Sequence, residues 1–173
     1  AAPLKNSGTF ITSTFGSNTT FSSENTIGVF LNGDYLNSYV DSTYSDMIEE
    51  STTWYLGRVG DGVLYDASYK LAKYTDTSGT TTTSNVAESK VGLLRFGELM
   101  SGQFDKWSNN TIYWTLTPYS TSRLHSVYSS GDAGNDIPSV ANGVRPSLNL
   151  KSNVVITSGA GTKNNPFTLE LAS

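Results

Sequence analysis

One histidine, His125, stands among the residues whose chemistry could make a site. Tyr119, Arg123, Tyr128, Asp132, Asn135 and Asp136 lie close to it in the chain. A lone imidazole in a chain without cysteine does not complete the nitrogen and sulfur ligand set that zinc takes. As the base of a Ser-His-Asp triad it would need a presented nucleophile, and the chain has no Gly-x-Ser-x-Gly turn to present one. The group reads better as a recognition face. Tyrosine rings offer rigid stacking area, and the Arg, His, Asp and Asn side chains offer hydrogen bonds around them. On the plainer reading His125 is an ordinary surface or strand residue, and the two tyrosines divide evenly between packing and exposure.

Asp132, Asn135 and Asp136 sit in Gly-Asp-Ala-Gly-Asn-Asp, an oxygen-rich run of the kind calcium takes. The spacing is not that of an EF-hand, and a solvated turn explains the same residues with fewer assumptions. The expectation is no cofactor, with calcium the one metal that would find ligands here. Glycoside hydrolysis would need two acids facing each other across a cleft. The 15 acidic residues are scattered, and no such pair stands out. Walker and dinucleotide fingerprints are absent as well. Taken together, these readings predict a protein that binds and does not catalyse.

Composition narrows the partners. The net charge is −4, only 15% of residues are charged, and no block of Lys or Arg occurs. A nucleic acid or an anionic membrane would find no basic footprint. With no cysteine, there is neither a disulfide framework nor a thiolate metal site. No apolar run approaches the length of a membrane span. Ser, Thr, Asn and Gly supply the polar surface, the look of an extracellular β-rich protein. At 173 residues the chain suits one domain with a real core.

The elements that would position these residues centre on 112–150. Ile112 to Pro118 reads as a short aromatic strand carrying Trp114, and with the strand that follows Val144 it is read as the core of the domain. Val144, Pro146, Leu148 and Leu150 alternate with Arg145, Ser147 and Asn149, the period of a half-buried strand entered at Arg145-Pro146. Arg145 is expected to tie down the loop through carboxylates or backbone carbonyls. The residues between the two strands are expected to form a variable loop face, with recognition through 119–142. Upstream, Phe10, Phe15 and Phe21 mark an N-terminal arm or strand over 1–26. Ile27–Leu31 reads as a short strand and Asn32-Gly33 as a turn. The spacing of Tyr35, Leu36, Tyr39, Val40, Tyr44, Met47 and Ile48 predicts a helix over 35–50. Trp54 belongs to a structural hairpin, 53–59 with 62–69, and 78–84 reads as an exposed loop. A strand at 90–94, a short helix from Phe96 and a hairpin from 154–156 to 167–171 complete the chain.

Trp114-x-Leu116-x-Pro118, the Ser/Gly/Asn-rich stretch and Gly143-Val144-Arg145-Pro146-x-Leu148-x-Leu150 also carry a likeness, extended by Thr53–Gly57, Lys90–Leu94 and Gly161–Phe167. It resembles a little-characterised family of secreted or surface domains of mostly Gram-positive bacteria, similar in fold to C-type lectins. The resemblance implies an α+β domain over 27–173, with two helices on a twisted antiparallel sheet whose first and last strands meet. The paired Glu-Pro-Asn and Trp-Asn-Asp motifs of sugar-binding C-type lectins are absent. The implied function is non-enzymatic adhesion to a glycan or surface protein outside the cell. The alternative is a subunit of an extracellular pilus or filament, joined to identical subunits through its terminal strands.

Overall fold

The structure, a computed structural model, describes residues 3–56, 86–101 and 110–172. In chain order the first strands are β1 (Lys5–Asn6), β2 (Thr9–Phe10) and β3 (Thr12–Thr14). Helix α1 (Thr26–Phe30) runs through a π-turn (Leu31–Tyr35) into α2 (Leu36–Tyr39), and the single turn α3 (Ser42–Ser45) follows. Next come β4 (Thr52–Tyr55), β5 (Val86–Ser89), β6 (Val91–Leu93) and helix α4 (Phe96–Ser101). The chain closes with β7 (Tyr113–Pro118), β8 (Leu124–Val127), β9 (Ala133–Asp136), β10 (Ala141–Gly143), β11 (Pro146–Leu148), β12 (Val154–Ser158) and β13 (Thr168–Leu171). The class is mixed α+β, mostly sheet with short helices.

The aromatic strand β7 lies at the middle of a five-stranded sheet in the order β3-β10-β7-β8-β9. Its neighbours run antiparallel to one another except β10 and β7, which are parallel. The stretch between the two predicted strands is therefore not a loop. It forms β8, β9 and β10, with turns at 119–123 and 128–132 closed by Tyr119 N–H to Arg123 O (2.8 Å) and Tyr128 N–H to Asp132 O (2.7 Å). Short Ser- and Gly-rich segments look loop-like locally. Pairing with β7 supplies the partners that hold them extended.

Phe15, Phe21, Ile27, Leu31, Leu93, Trp114, Leu116, Leu124 and Val144 belong to one buried cluster. Phe15 and Phe21 meet edge to face at 6.5 Å, and Phe15 meets Trp114 at 5.8 Å. The N-terminal segment thus packs into the same core as the sheet, and β3 pairs with β10. The expected meeting of first and last strands does not occur: β1 pairs with β2, and β13 pairs with β12.

Residues 27–31 are helical, not a strand. Ile27 and Leu31, four apart, are both fully buried, which is helical spacing. Asn25 caps the helix, its Oδ1 accepting the Gly28 N–H at 2.9 Å. Glycine is required at 28 because a Cβ there would lie 1.9 Å from the Ser22 carbonyl oxygen. The Asn32-Gly33 turn signal is overridden as well. Asn32 reaches strand β6, and the chain widens into the π-turn around it. The predicted helix over 35–50 is reduced to α2 and α3, interrupted where Val40 is extended.

Strand β4 forms as expected but pairs with β5. The predicted second arm at 62–69 and the loop at 78–84 lie outside the described residues. Strand β6, helix α4 and the C-terminal hairpin fall where the sequence placed them. Arg145-Pro146 marks entry to β11, which pairs with β6. The Arg145 partner differs from expectation: Nη1 donates to the Tyr113 hydroxyl at 3.1 Å, and the guanidinium lies 5.6 Å from that ring. A phenol and its ring face thus take the place foreseen for a carboxylate or carbonyl.

Glu50 accepts a hydrogen bond from Lys90 Nζ at 3.0 Å, and Lys151 lies 3.9 Å away. The bond and the charge of Lys90 hold the Glu50 carboxyl below its ordinary range. A folded pKa below the unfolded one means the stabilisation is present above the unfolded value. It is lost as pH falls through the lowered folded value. Lys90→Met should therefore flatten the acid limb of a stability–pH curve while leaving the most acidic points unchanged. The effect is small and salt-sensitive, because Glu50 is exposed. Urea midpoints between pH 3 and 7 check it, and an unchanged acid limb would remove the pair from the account.

Candidate functional site

The sequence-predicted face is split by the sheet. His125 is fully buried, its ring stacked on Phe96 at 3.9 Å and met edge-on by Tyr119 at 5.2 Å. It packs the sheet against α4 and presents nothing to solvent. Asp136 Oδ2 accepts from Ser126 Oγ (3.0 Å) and Asn142 Nδ2 (3.1 Å), which ties it to β8 and β10. Arg123 Nη1 donates to Asn135 Oδ1 (3.0 Å) and to the Asn135 carbonyl (3.2 Å), so both side chains brace the β8–β9 pair. Asp132 accepts from Ser130 within the turn at 2.8 Å. Tyr128, 38% exposed, lays its ring over Gly134, where a Cβ would come within 2.3 Å of Cε1. Within this group, then, Tyr128, Arg123 and Asp132 reach the surface. Among the described residues no three His, Asp or Glu side chains gather as metal ligands would.

A different place has the shape of a site. Among the described residues a cleft of about 270 Å³ is lined by Trp54, Leu94, Arg95, Glu98, Ser147 and Asn149, together with Thr52, Thr53, Tyr55 and Leu116. The local sequence explains each wall. Ser147 pairs with Gly92 across β11 and β6, so both lie on one face of that ribbon. The period-two row continues that face to Asn149 and Leu94. The indole of Trp54 lies on Gly92, where a Cβ would come 2.6 Å from Cδ2. Trp54 Nε1 donates to the Ser89 carbonyl at 3.0 Å, which locks the ring in place. Asn149 Nδ2 reaches Thr52 Oγ1 at 3.4 Å across the cleft mouth. The far wall is the start of α4, where Glu98 Oε2 accepts the Arg95 N–H at 2.8 Å. Phe96 N–H donates to Thr117 Oγ1 at 2.9 Å, which fixes that helix to β7.

Chemically the cleft offers part of an aromatic face, an aliphatic base, one guanidinium, one carboxylate and a neutral polar rim. That set holds a ligand by stacking and hydrogen bonds. Trp54 was expected in a structural role, and its bond to Ser89 is structural. The cleft gives the same residue a second surface. Arg95, Glu98, Ser147 and Asn149 carry no site signature in the sequence. The polar half of the 145–149 alternation was the available signal, but the residues facing it come from distant segments. At Glu88 the hydroxyls of Thr53 and Ser51 donate to the carboxylate and hold its pKa below the ordinary value. That bond anchors Thr53 beside the cleft.

The C-terminal hairpin presents apolar groups of its own, with Ile156 59% and Leu171 44% exposed. Among the described residues no helix is long and apolar enough to cross a membrane. No known protein family, curated protein or solved structure matches this chain.

Proposed function

We propose that this chain is a non-enzymatic recognition domain of an extracellular bacterial surface, with a C-type-lectin-like architecture, that adheres to its target through the Trp54 cleft. The observation that carries the reading is the cleft itself: a preformed concavity in which a locked indole and an aliphatic base sit beside a ring of hydroxyl and amide groups. The recognition face moves from 119–142 to this cleft, because His125 and Asp136 are engaged inside the sheet. Calcium has no part in this reading. The described lining of the cleft offers a single carboxylate, Glu98, and Asp132 and Asp136 hold side-chain partners elsewhere.

A second reading, the filament subunit, draws support from the exposed aliphatic groups of β12 and β13. A two-stranded hairpin gains stability when its apolar face is covered, and an open head-to-tail contact would cover it repeatedly. Light scattering on the purified chain separates the two. A monomer that binds a surface-glycan array, and binds it several-fold more weakly with Asn149→Ala but unchanged with Tyr128→Ser, is the expected result. Regular fibres would give the filament reading the lead. Binding that is lost with Tyr128→Ser and unaffected by Asn149→Ala would return recognition to the 119–142 face.

A further inference from the structure

Resting on that reading of the cleft, we infer that its occupant is a single uncharged sugar ring, presented as the terminal unit of a surface glycan. Size is the first argument. About 270 Å³ lies just under the range of roughly 300–1,000 Å³ typical of sites that enclose drug-sized ligands. One ring fits, and the rest of an oligosaccharide stays outside.

Hydrogen-bonding capacity is the second argument. Thr52, Ser147 and Asn149 line the cleft with hydroxyl and amide groups that both donate and accept. Sugar hydroxyls do both as well, so a polyhydroxylated ring can satisfy them in either sense. Trp54 and Leu94 supply the apolar surface against which the C–H face of a pyranose packs.

Charge decides between sugar classes. Among the described residues the lining carries one guanidinium, Arg95, and one carboxylate, Glu98. Neither sign is in excess, whereas sites for sialic acid, sulfate or phosphate groups concentrate cationic donors. A uronic acid keeps the ring of its neutral parent and carries a carboxylate in place of the C6 hydroxymethyl group, so it tests this difference.

The test uses the 173-residue chain. It is first applied to an array carrying glucose, galactose, mannose and N-acetylglucosamine termini together with sialylated and sulfated glycans and extended peptides. The methyl glycoside of the best neutral terminus is then titrated beside the uronic acid of the same ring by calorimetry. The neutral glycoside should bind at least tenfold more tightly. Asn149→Ala should weaken it about fivefold, the equivalent of one hydrogen bond. Asn149 is exposed, with one long side-chain bond, so this variant folds. Ser147→Ala is a second, independent change at the same rim. Tighter binding of the uronic acid or of sialylated or sulfated termini, still weakened by Asn149→Ala, overturns the neutral-sugar inference but keeps the cleft. Peptide binding with that same sensitivity does likewise. Binding to which both rim variants are indifferent overturns the cleft reading too, as does the absence of any binding.

Discussion

Trp114→Ala lowers the stability of this domain by about 3–5 kcal/mol, the range for truncating a large aromatic in a packed core. The indole is 1% exposed and meets Phe15 edge to face at 5.8 Å. Its Nε1 donates to the Ser13 carbonyl at 2.8 Å, linking the middle strand of the sheet to the N-terminal strand across 101 residues. Truncation opens a cavity beside Phe15 and also leaves that carbonyl without its donor. At about 2–4 °C per kcal/mol for a chain of this size, the thermal midpoint should fall by roughly 10 °C. Trp114→Phe keeps much of the ring and loses the bond, so its cost should be nearer 1–3 kcal/mol. Thermal melts followed by near-ultraviolet circular dichroism compare the two. An unchanged midpoint for the alanine variant would mean that the N-terminal strand is not held through Trp114.

Asn32→Asp is the second large effect, and it changes only one atom type. In the native side chain Oδ1 accepts the Val91 N–H at 2.8 Å, while Nδ2 donates to the Val91 carbonyl at 3.0 Å and to the Gly28 carbonyl at 3.0 Å. The amide thus gives Val91 the pair of bonds that a further strand would give, and it does so from the π-turn. A carboxylate keeps the acceptor and loses both donors, and it faces two carbonyl oxygens. The expected loss is roughly 2–4 kcal/mol at neutral pH. Asn32→Ala removes all three bonds but introduces no charge, so it separates lost bonding from repulsion. Urea midpoints measure both. If Asn32→Asp matches the native protein, the side-chain amide is not what docks the first helical stretch on β6.

These two residues frame the route from fold to proposed site. Asn32 positions β6 from one side, and β6 carries Gly92, on which Trp54 rests. Trp114 holds the sheet whose strand β7 anchors α4 through Thr117, and α4 brings Arg95 and Glu98 to the cleft. A variant that loosens either anchor should therefore weaken ligand binding along with stability. Asn149→Ala, at the exposed rim, should weaken binding alone.

The sequence by itself determined those features whose cause is local. The mixed α+β class, strand β6, helix α4, the strand entry at Arg145-Pro146 and the C-terminal hairpin were legible in short apolar and β-branched runs, proline geometry and glycine-rich turns. The burial of Trp114 agrees with its place on one of the two strands read as the core. Only the tertiary structure decided the rest. Asn32-Gly33 has a strong local turn preference, yet Val91, 59 positions away, holds it helical by taking both ends of the amide. Residues 119–142 look like loop until β7 pairs with them, and His125 looks solvated until Phe96 stacks on it. The cleft joins segments near residues 52, 95 and 147. No period or spacing within one segment records which face of another will oppose it, because that is set by the packing of the whole core.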